Sequence, residues 1–424
     1  MTPGEARAVR LSLRYIKRGG NMKDITIRDI KVFHTKVTGR ICTVVKVLTS
    51  EPGLYGLGCA SFTQRFETVG HLIEHYIKPL IIGKSVHDIN ELWSLMNFNA
   101  YWRNGGVENN AISGIDIALW DIKGKIASMP LYQLLGGRVR AGAEIYGAAE
   151  GDTFEQIDAK IDRYIEKGYK SIRVGYKRFG KAKDEVVASP VNAPEGDYYD
   201  PERFHHDMIA LFEHLRKKYG YGVKFAYDIH GRLEPTDAVA LAKALEPYRL
   251  FFLEDPLPPE HIEWFKDIRT QCTTPIAMGE IFNNPAEYRR LIAEHSIDFI
   301  RCHISQIGGL TPAIKLAHFA EPFGVRTAWH GPEDSSPIVH MAQLHLDIAS
   351  VNFGIQEWPD LYSSEQVKAA FPGIAQPVNG YVDVSDAPGL GIDFDEVAAK
   401  EFPAVSEVVR WTQARLPDGT LHHP

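Results

Sequence analysis

The sequence predicts an α/β protein whose larger part is a (β/α)8 barrel of the TIM-like kind. Three observations carry that reading. Between Ile145 and Glu357, eight short apolar runs alternate with amphipathic segments, at roughly 25 residues per pair. The runs end on acids, histidines and an arginine, and one mouth of a barrel is where functional groups gather. No G-x-G-x-x-G follows a strand-like run, which weighs against the alternative, an open doubly wound sheet.

Residues 1–21 (MTPGEARAVRLSLRYIKRGGN) are basic and lack a long apolar core, so they make a poor signal peptide and are expected to form an extension outside the fold. Residues 24–61 read as strands: ITIRDIKVFHT and TVVKVLTS are rich in Val, Ile and Thr, and SEPGLYGLG supplies a turn. A helical region follows from about 64 to 135, clearest in VENNAISGIDIALWDIKGKIASM, with apolar residues at helical spacing. Residues 22–142 are thus an α+β unit. Residues 143–378 are the barrel, with runs EIYGAA, KSIRVG, VKFAYDIH, LFFLED, PIAMGE, DFIRCHI, VRTAWH and NFGIQE. Most are followed by a helical segment such as PTDAVALAKALEPY. Residues 379–424 remain as a C-terminal segment.

The chain has 424 residues, too many for one ordinary domain and a good fit to two. Its net charge of −7 argues against nucleic-acid and membrane-surface roles, which want a basic face. No apolar run approaches the ~18 residues of a spanning helix. Cys42, Cys59, Cys272 and Cys302 are scattered without a C-x-x-C pair, as expected of reduced thiols in a cytoplasmic protein.

Asp228, Glu254 and Glu280 close the third, fourth and fifth runs at intervals of 26 and 26 residues. One βα unit separates each pair, so they are expected side by side. Three converging carboxylates need a cation, and all-oxygen ligation favours a hard ion, Mg2+ first. Asp255 points to the other side and reads as a structural acid. His230 is two residues beyond Asp228, and His330 ends a run across the mouth; both read as acid/base groups. Arg301 is expected to neutralise either a substrate carboxylate or a ligand carboxylate.

The order Asp-x-His, Glu-Asp-Pro, Gly-Glu, Gly-Gly and a late His resembles the enolase superfamily. ALWDIKGKIASMPLYQLLGG, DIHGRL, LEPYRLFFLEDPLP, TTPIAMGEIFNN, VNFGIQEW and DAPGLGIDFDE resemble its mannonate dehydratase subgroup, over about residues 24 to 420. The resemblance implies that the N-terminal unit and the C-terminal segment form a cap over a Mg2+-bearing barrel. It implies a small acid-sugar substrate, a 2-keto-3-deoxy product and a homo-oligomer. His230 matches the subgroup's general acid. Arg301, His330, Glu357 and Trp358 match substrate-binding positions, with His330 also an acid/base candidate. The base is expected to be Tyr176, helped by Arg173, with Tyr198 and Tyr199 as weaker matches. Ala148 and Ile41 replace a histidine and an asparagine of the subgroup, which directs the expectation to another hexonate or related acid sugar. Two other readings are a carboxylate racemase or epimerase using His230 and His330, and an acid-sugar-binding regulator.

Overall fold

The computed structural model describes residues 25–176, 190–192, 194, 196–408 and 413–422. The expected extension at 1–21 and the loop at 177–189 lie outside them. Among the described residues, no helix is long and apolar enough to cross a membrane.

The N-terminal unit begins with an antiparallel sheet of β1 (Ile27–Thr35), β2 (Cys42–Thr49) and β3 (Tyr55–Cys59). Helices α1 (Ile89–Asn99) and α2 (Gly106–Ala127) follow. Glycines at 56 and 58 let α2 lie directly on β3: a Cβ at either would sit 1.9 Å from a carbonyl oxygen of Ala118 or Gly114. Almost every residue from Asn109 to Gly124 is buried, because α2 is covered on one side by the sheet and on the other by the barrel.

The barrel strands are β4 (Ala143–Gly151), β5 (Ser171–Tyr176), β6 (Lys224–Asp228), β7 (Phe252–Glu254), β8 (Ile276–Met278), β9 (Phe299–Ile300), β10 (Arg326–Thr327) and β11 (Gln356–Glu357). They pair in parallel in the order β10-β9-β8-β7-β6-β5-β4-β11. Two backbone bonds close the ring, Thr327 N–H to Asn352 O at 2.9 Å and Gly354 N–H to Thr327 O at 2.8 Å. The crossover helices are α3 (Phe154–Glu166), α4 (Pro201–Tyr219), α5 (Pro235–Leu245), α6 (Phe265–Gln271), α7 (Pro285–Ala293), α8 (Leu310–Ala320) and α9 (Pro337–Ala349). All eight runs therefore form strands, although several have only two or three paired residues.

The ring's interior is filled by Tyr146, Ala226, Phe252, Ala277, Phe299, Ala328 and Ile355, a buried cluster separate from the main core. Large and small side chains alternate around it, which fills the narrow interior without a void. Successive strand residues face opposite ways, so positions two further on also face inward. Those positions are Ala148, Asp228, Glu254, Gly279, Arg301, His330 and Glu357. The apolar plug is thus the floor on which the polar residues stand.

Beyond the barrel come α10 (Glu365–Ala370), β12 (Tyr381–Val382), which adds antiparallel to β4, and α11 (Glu396–Lys400). Part of the C-terminal segment meets the N-terminal sheet: Thr35 Oγ1 donates to the carbonyls of Ala399 and Phe402, both at 3.1 Å. Asp121 accepts from Leu57 N–H at 3.0 Å and Leu390 N–H at 2.9 Å, tying sheet, helix and C-terminal segment together. Residues 413–422 depart from the expectation and return to the barrel. The His422 ring stacks on Tyr199 at 5.2 Å and its Nε2 donates to Arg232 O at 2.7 Å, which buries both rings beside β6.

The two units are joined at Asp116, a fully buried residue of α2. Its carboxylate accepts from Thr311 N–H at 2.8 Å and Thr311 Oγ1–H at 2.5 Å, in the first turn of α8. An acidic group there satisfies an otherwise orphaned helix N–H. Asp116→Ala strands both donors and is expected to cost about 1–3 kcal/mol. Urea unfolding reads this directly, and an unchanged midpoint would count against the joint.

Candidate active site

A cleft of about 910 Å3 opens at the C-terminal ends of the strands, between barrel and cap. Asp228 ends β6, and Glu254 ends β7 directly opposite it in register. Glu280 follows β8 after Gly279, which bends the chain at φ +134°. Ligand atoms of Asp228, His230 and Glu280 all lie within 4.8 Å of one another. Glu254 is not in that cluster; its Oε1 is held by Arg301 Nε. Its Oε2 is buried and has no hydrogen-bond partner among the described residues, and the same is true of Glu280 Oε2. Burial pushes the Glu254 carboxyl up to about 7, with the Asp228 charge adding to it against Arg301. Burial also drives Glu280 and Asp255 well above the usual carboxylate range. Orphaned carboxylate oxygens and crowded negative charge fit a hard divalent cation.

His230 reaches the site by a different route from the one expected. The strand stops at Asp228, and His230 stands in a left-handed turn at φ +57°. Its backbone N–H donates to Asp228 Oδ1 at 2.9 Å, and its Nε2 lies 3.0 Å from Asp228 Oδ2. Burial opposes the imidazolium, but the Asp228 carboxylate more than offsets it and holds the ring up at about 9. His330 is the reverse case. It is 6 % exposed, and burial holds its imidazole well below the ordinary value. Its Nε2 is 3.4 Å from Glu280 Oε2, and its Nδ1 has no hydrogen-bond partner among the described residues. His303, whose ring is 5.6 Å away, is engaged elsewhere: it accepts from Ser305 N–H at 3.1 Å and donates to Ser335 Oγ at 3.0 Å.

Of the two roles expected of Arg301, its geometry matches the pairing with carboxylates of the chain itself. It is fully buried, and its guanidinium donates to Glu254, to Ala328 O at 3.0 Å, to Tyr146 Oη at 3.2 Å and to Glu357 Oε2 at 2.9 Å. Every guanidinium nitrogen is engaged beneath the cleft, so the side chain fixes two carboxylates. Glu357 lines the cleft and accepts also from Gly331 N–H at 2.8 Å. Burial disfavours its ionisation, but Arg173 and Arg301 hold its carboxyl well below the usual range. Trp358 lines the cleft with its ring edge-on to Tyr362 at 5.6 Å.

Arg173 faces the cleft, with NH1 3.3 Å from Asp228 and 3.4 Å from Glu357. Tyr176 does not. Three residues beyond Arg173 on the same strand, it points to the other side of the sheet and packs its ring against Phe154 at 5.4 Å. Tyr198 donates to Pro194 O at 2.6 Å, and Tyr199 is buried under His422. None of the three tyrosines lines the cleft. Ile41 is buried in the cap, while its neighbour Arg40 lines the cleft. Glu150, Arg232 and Asp334 line it too and were not anticipated. For Glu150 a signal existed: Tyr146, Ala148 and Glu150 follow the two-residue period of EIYGAAEG.

Comparison with known proteins gives the family. Residues 156–398 match the model for the enolase C-terminal domain-like family, and residues 23–136 match the mandelate racemase / muconate lactonizing enzyme N-terminal domain. A D-galactonate dehydratase family member from Enterocloster bolteae is 50 % identical over 406 residues, covering 95 % of this chain and 100 % of that protein. The chain belongs to the D-galactonate dehydratase family of the enolase superfamily. This family membership places it among the sugar-acid dehydratases, which are carbon–oxygen lyases. A further D-galactonate dehydratase family member, from Enterococcus gallinarum, is 45 % identical over 95 % of this chain and all of its own. Among solved structures, an enolase from Pantoea ananatis with bound D-gluconate and Mg superposes with a TM-score of 0.92 at 46 % identity, covering 95 % of this chain and 100 % of that one.

Proposed function

We propose that this D-galactonate dehydratase family member is a Mg2+-dependent dehydratase of a hexonate-type sugar acid. The observation that carries the reading is the pair of imidazoles facing each other across the ring with the carboxylate cluster between them. His230 follows β6 and His330 follows β10, four strands apart in a ring of eight. The D-gluconate and Mg of the Pantoea ananatis relative support the substrate class and the ion.

Asp228, Glu254 through its free Oε2, and Glu280 would hold the ion. When bound, Mg2+ supplies Lewis-acid stabilisation of the charge that develops on the substrate carboxylate. The chain's own residues do the rest. His330, held neutral by burial, accepts the proton from the carbon next to the carboxylate. His230, held protonated beside Asp228, gives its proton to the hydroxyl leaving C3, which departs as water. The resulting enol tautomerises to a 2-keto-3-deoxy acid. Arg301 and Arg173 keep Glu254, Asp228 and Glu357 in place throughout. This assignment moves the base from Tyr176, which faces away, to His330.

The same opposed pair would also suit epimerisation, in which a proton leaves one face and returns on the other. A single assay separates the two. Purified protein with Mg2+ is incubated with hexonates, pentonates and aldarates, D-gluconate and D-galactonate among them, and 2-keto-3-deoxy products and epimers are measured. Keto-deoxy product from a hexonate, abolished by EDTA and restored by Mg2+, is the expected result. Epimer without keto product would replace the reading. Binding without any product would mark a regulator.

A further inference from the structure

We propose, building on the reading of His330 as the proton acceptor, that Gln343 and His340 of α9 are positioning residues that orient His330 through its backbone. A catalytic histidine is ordinarily aimed by a third group bonded to its ring. At His330 the Nδ1 is without a hydrogen-bond partner among the described residues, the nearby His303 is bonded to Ser335, and the ring's nearest charged neighbour is the cleft acid Glu280, 3.4 Å from Nε2. With Nδ1 unanchored, the ring's direction depends on the chain that carries it.

That chain is gripped from below. Gln343 Nε2 donates to His330 O at 2.9 Å, and His340 Nε2 donates to Gly331 O at 2.6 Å. Two consecutive carbonyls are thus held by residues three apart on one helix face. Both side chains are 0 % exposed, and a buried polar group is costly unless bonded, so these partners are fixed ones. Each gripping residue is itself anchored. Gln343 Oε1 accepts from Gln356 Nε2 at 2.9 Å, on β11. Both ring nitrogens of His340 face carbonyls, which only accept; the contact from Nε2 to Gly331 O, 2.6 Å against 3.3 Å from Nδ1 to Ser336 O, places the proton on Nε2, and Nδ1 then accepts from Tyr362 Oη–H at 2.9 Å. Gly331 completes the device. A Cβ there would lie 2.6 Å from His340 Nε2 and 3.0 Å from Gln343 Oε1, so the grip closes only on bare backbone. The same glycine's N–H donates to Glu357 Oε2 at 2.8 Å, which ties the grip to the cleft wall.

The test is Gln343→Met in the full chain with Mg2+, on D-gluconate or on D-galactonate if that turns over faster. Small displacements of a reacting group cost large factors in rate, so kcat is expected to fall about 10- to 100-fold with KM changed less than about 3-fold. In a His330→Asn background the same change is expected to cost nothing further, since a positioning residue acts only through the group it positions. If Gln343→Met fails to fold, His340→Phe serves instead: it keeps the ring contacts to Trp358 and Tyr362 and removes the donor to Gly331 O, while Tyr362 Oη–H, which loses its bond to Nδ1, still reaches Ser335 O at 3.3 Å. An unchanged kcat, or an equal loss in both backgrounds, overturns the positioning role and leaves the reading of His330 intact. Unimpaired turnover by His330→Asn alone overturns that reading and the positioning role with it.

Discussion

Replacing Arg301 with methionine is expected to lower the unfolding free energy by about 3–5 kcal/mol, the usual cost of removing one partner from a buried ion pair. Arg301 is fully buried and bridges Glu254 and Glu357. Without it, two carboxylates on the floor of the cleft lose their main counter-charge, and Arg173 is left to face Glu357 alone at 3.4 Å. Lysine would be a poor replacement, since one ammonium cannot reproduce a planar fork bonded to four separate oxygens. Urea unfolding of the metal-free protein at neutral pH measures the difference. A loss under about 1 kcal/mol would show that the floor tolerates unpaired acids, against the general cost of buried charge.

The second large effect is on rate. His230→Asn is expected to reduce kcat by about 10^2- to 10^4-fold, the range of a lost general acid. Asparagine suits the position, because His230 lies at φ +57°, where asparagine is among the least strained of the side-chain-bearing residues. The backbone N–H bond to Asp228 Oδ1 survives the change. Mg2+ affinity should then stay within a few-fold of wild type, which calorimetric titration can confirm. A kcat loss below about tenfold would remove His230 from the role of proton donor.

Much of the site was legible because barrel chemistry is periodic. The spacing of Asp228, Glu254 and Glu280 reports successive strand ends: Asp228 ends β6, Glu254 ends β7 in register with it, and Glu280 follows β8. Tyr176 was misplaced although the rule that corrects it is elementary: counting on from Arg173, position 175 faces in and 176 faces out. His230 was placed on the correct side for the wrong reason, since a left-handed turn and not strand alternation delivers it. Arg301 shows a firmer limit. A run of sequence displays its charge, but its burial is decided by Glu254 and Glu357, on strands far from it in the chain. Arg40 shows another, because strand period within the barrel says nothing about which cap loop hangs over its mouth.

The joining of the first and last parts of the cap has a consequence for the order of assembly. Neighbouring barrel strands from β4 to β10 are also neighbours in sequence, so that part of the ring can zip up as the polypeptide emerges from the ribosome. The cap cannot. Asp121 waits 269 residues for Leu390, and Thr35 waits 364 for Ala399. A nascent chain ending near residue 380 would hold nearly all of the barrel beneath an unfinished lid, with an apolar sheet and buried carboxylates still open to water. The window of greatest exposure to aggregation therefore falls at the end of synthesis, and the cleft acquires its roof only after its floor is complete.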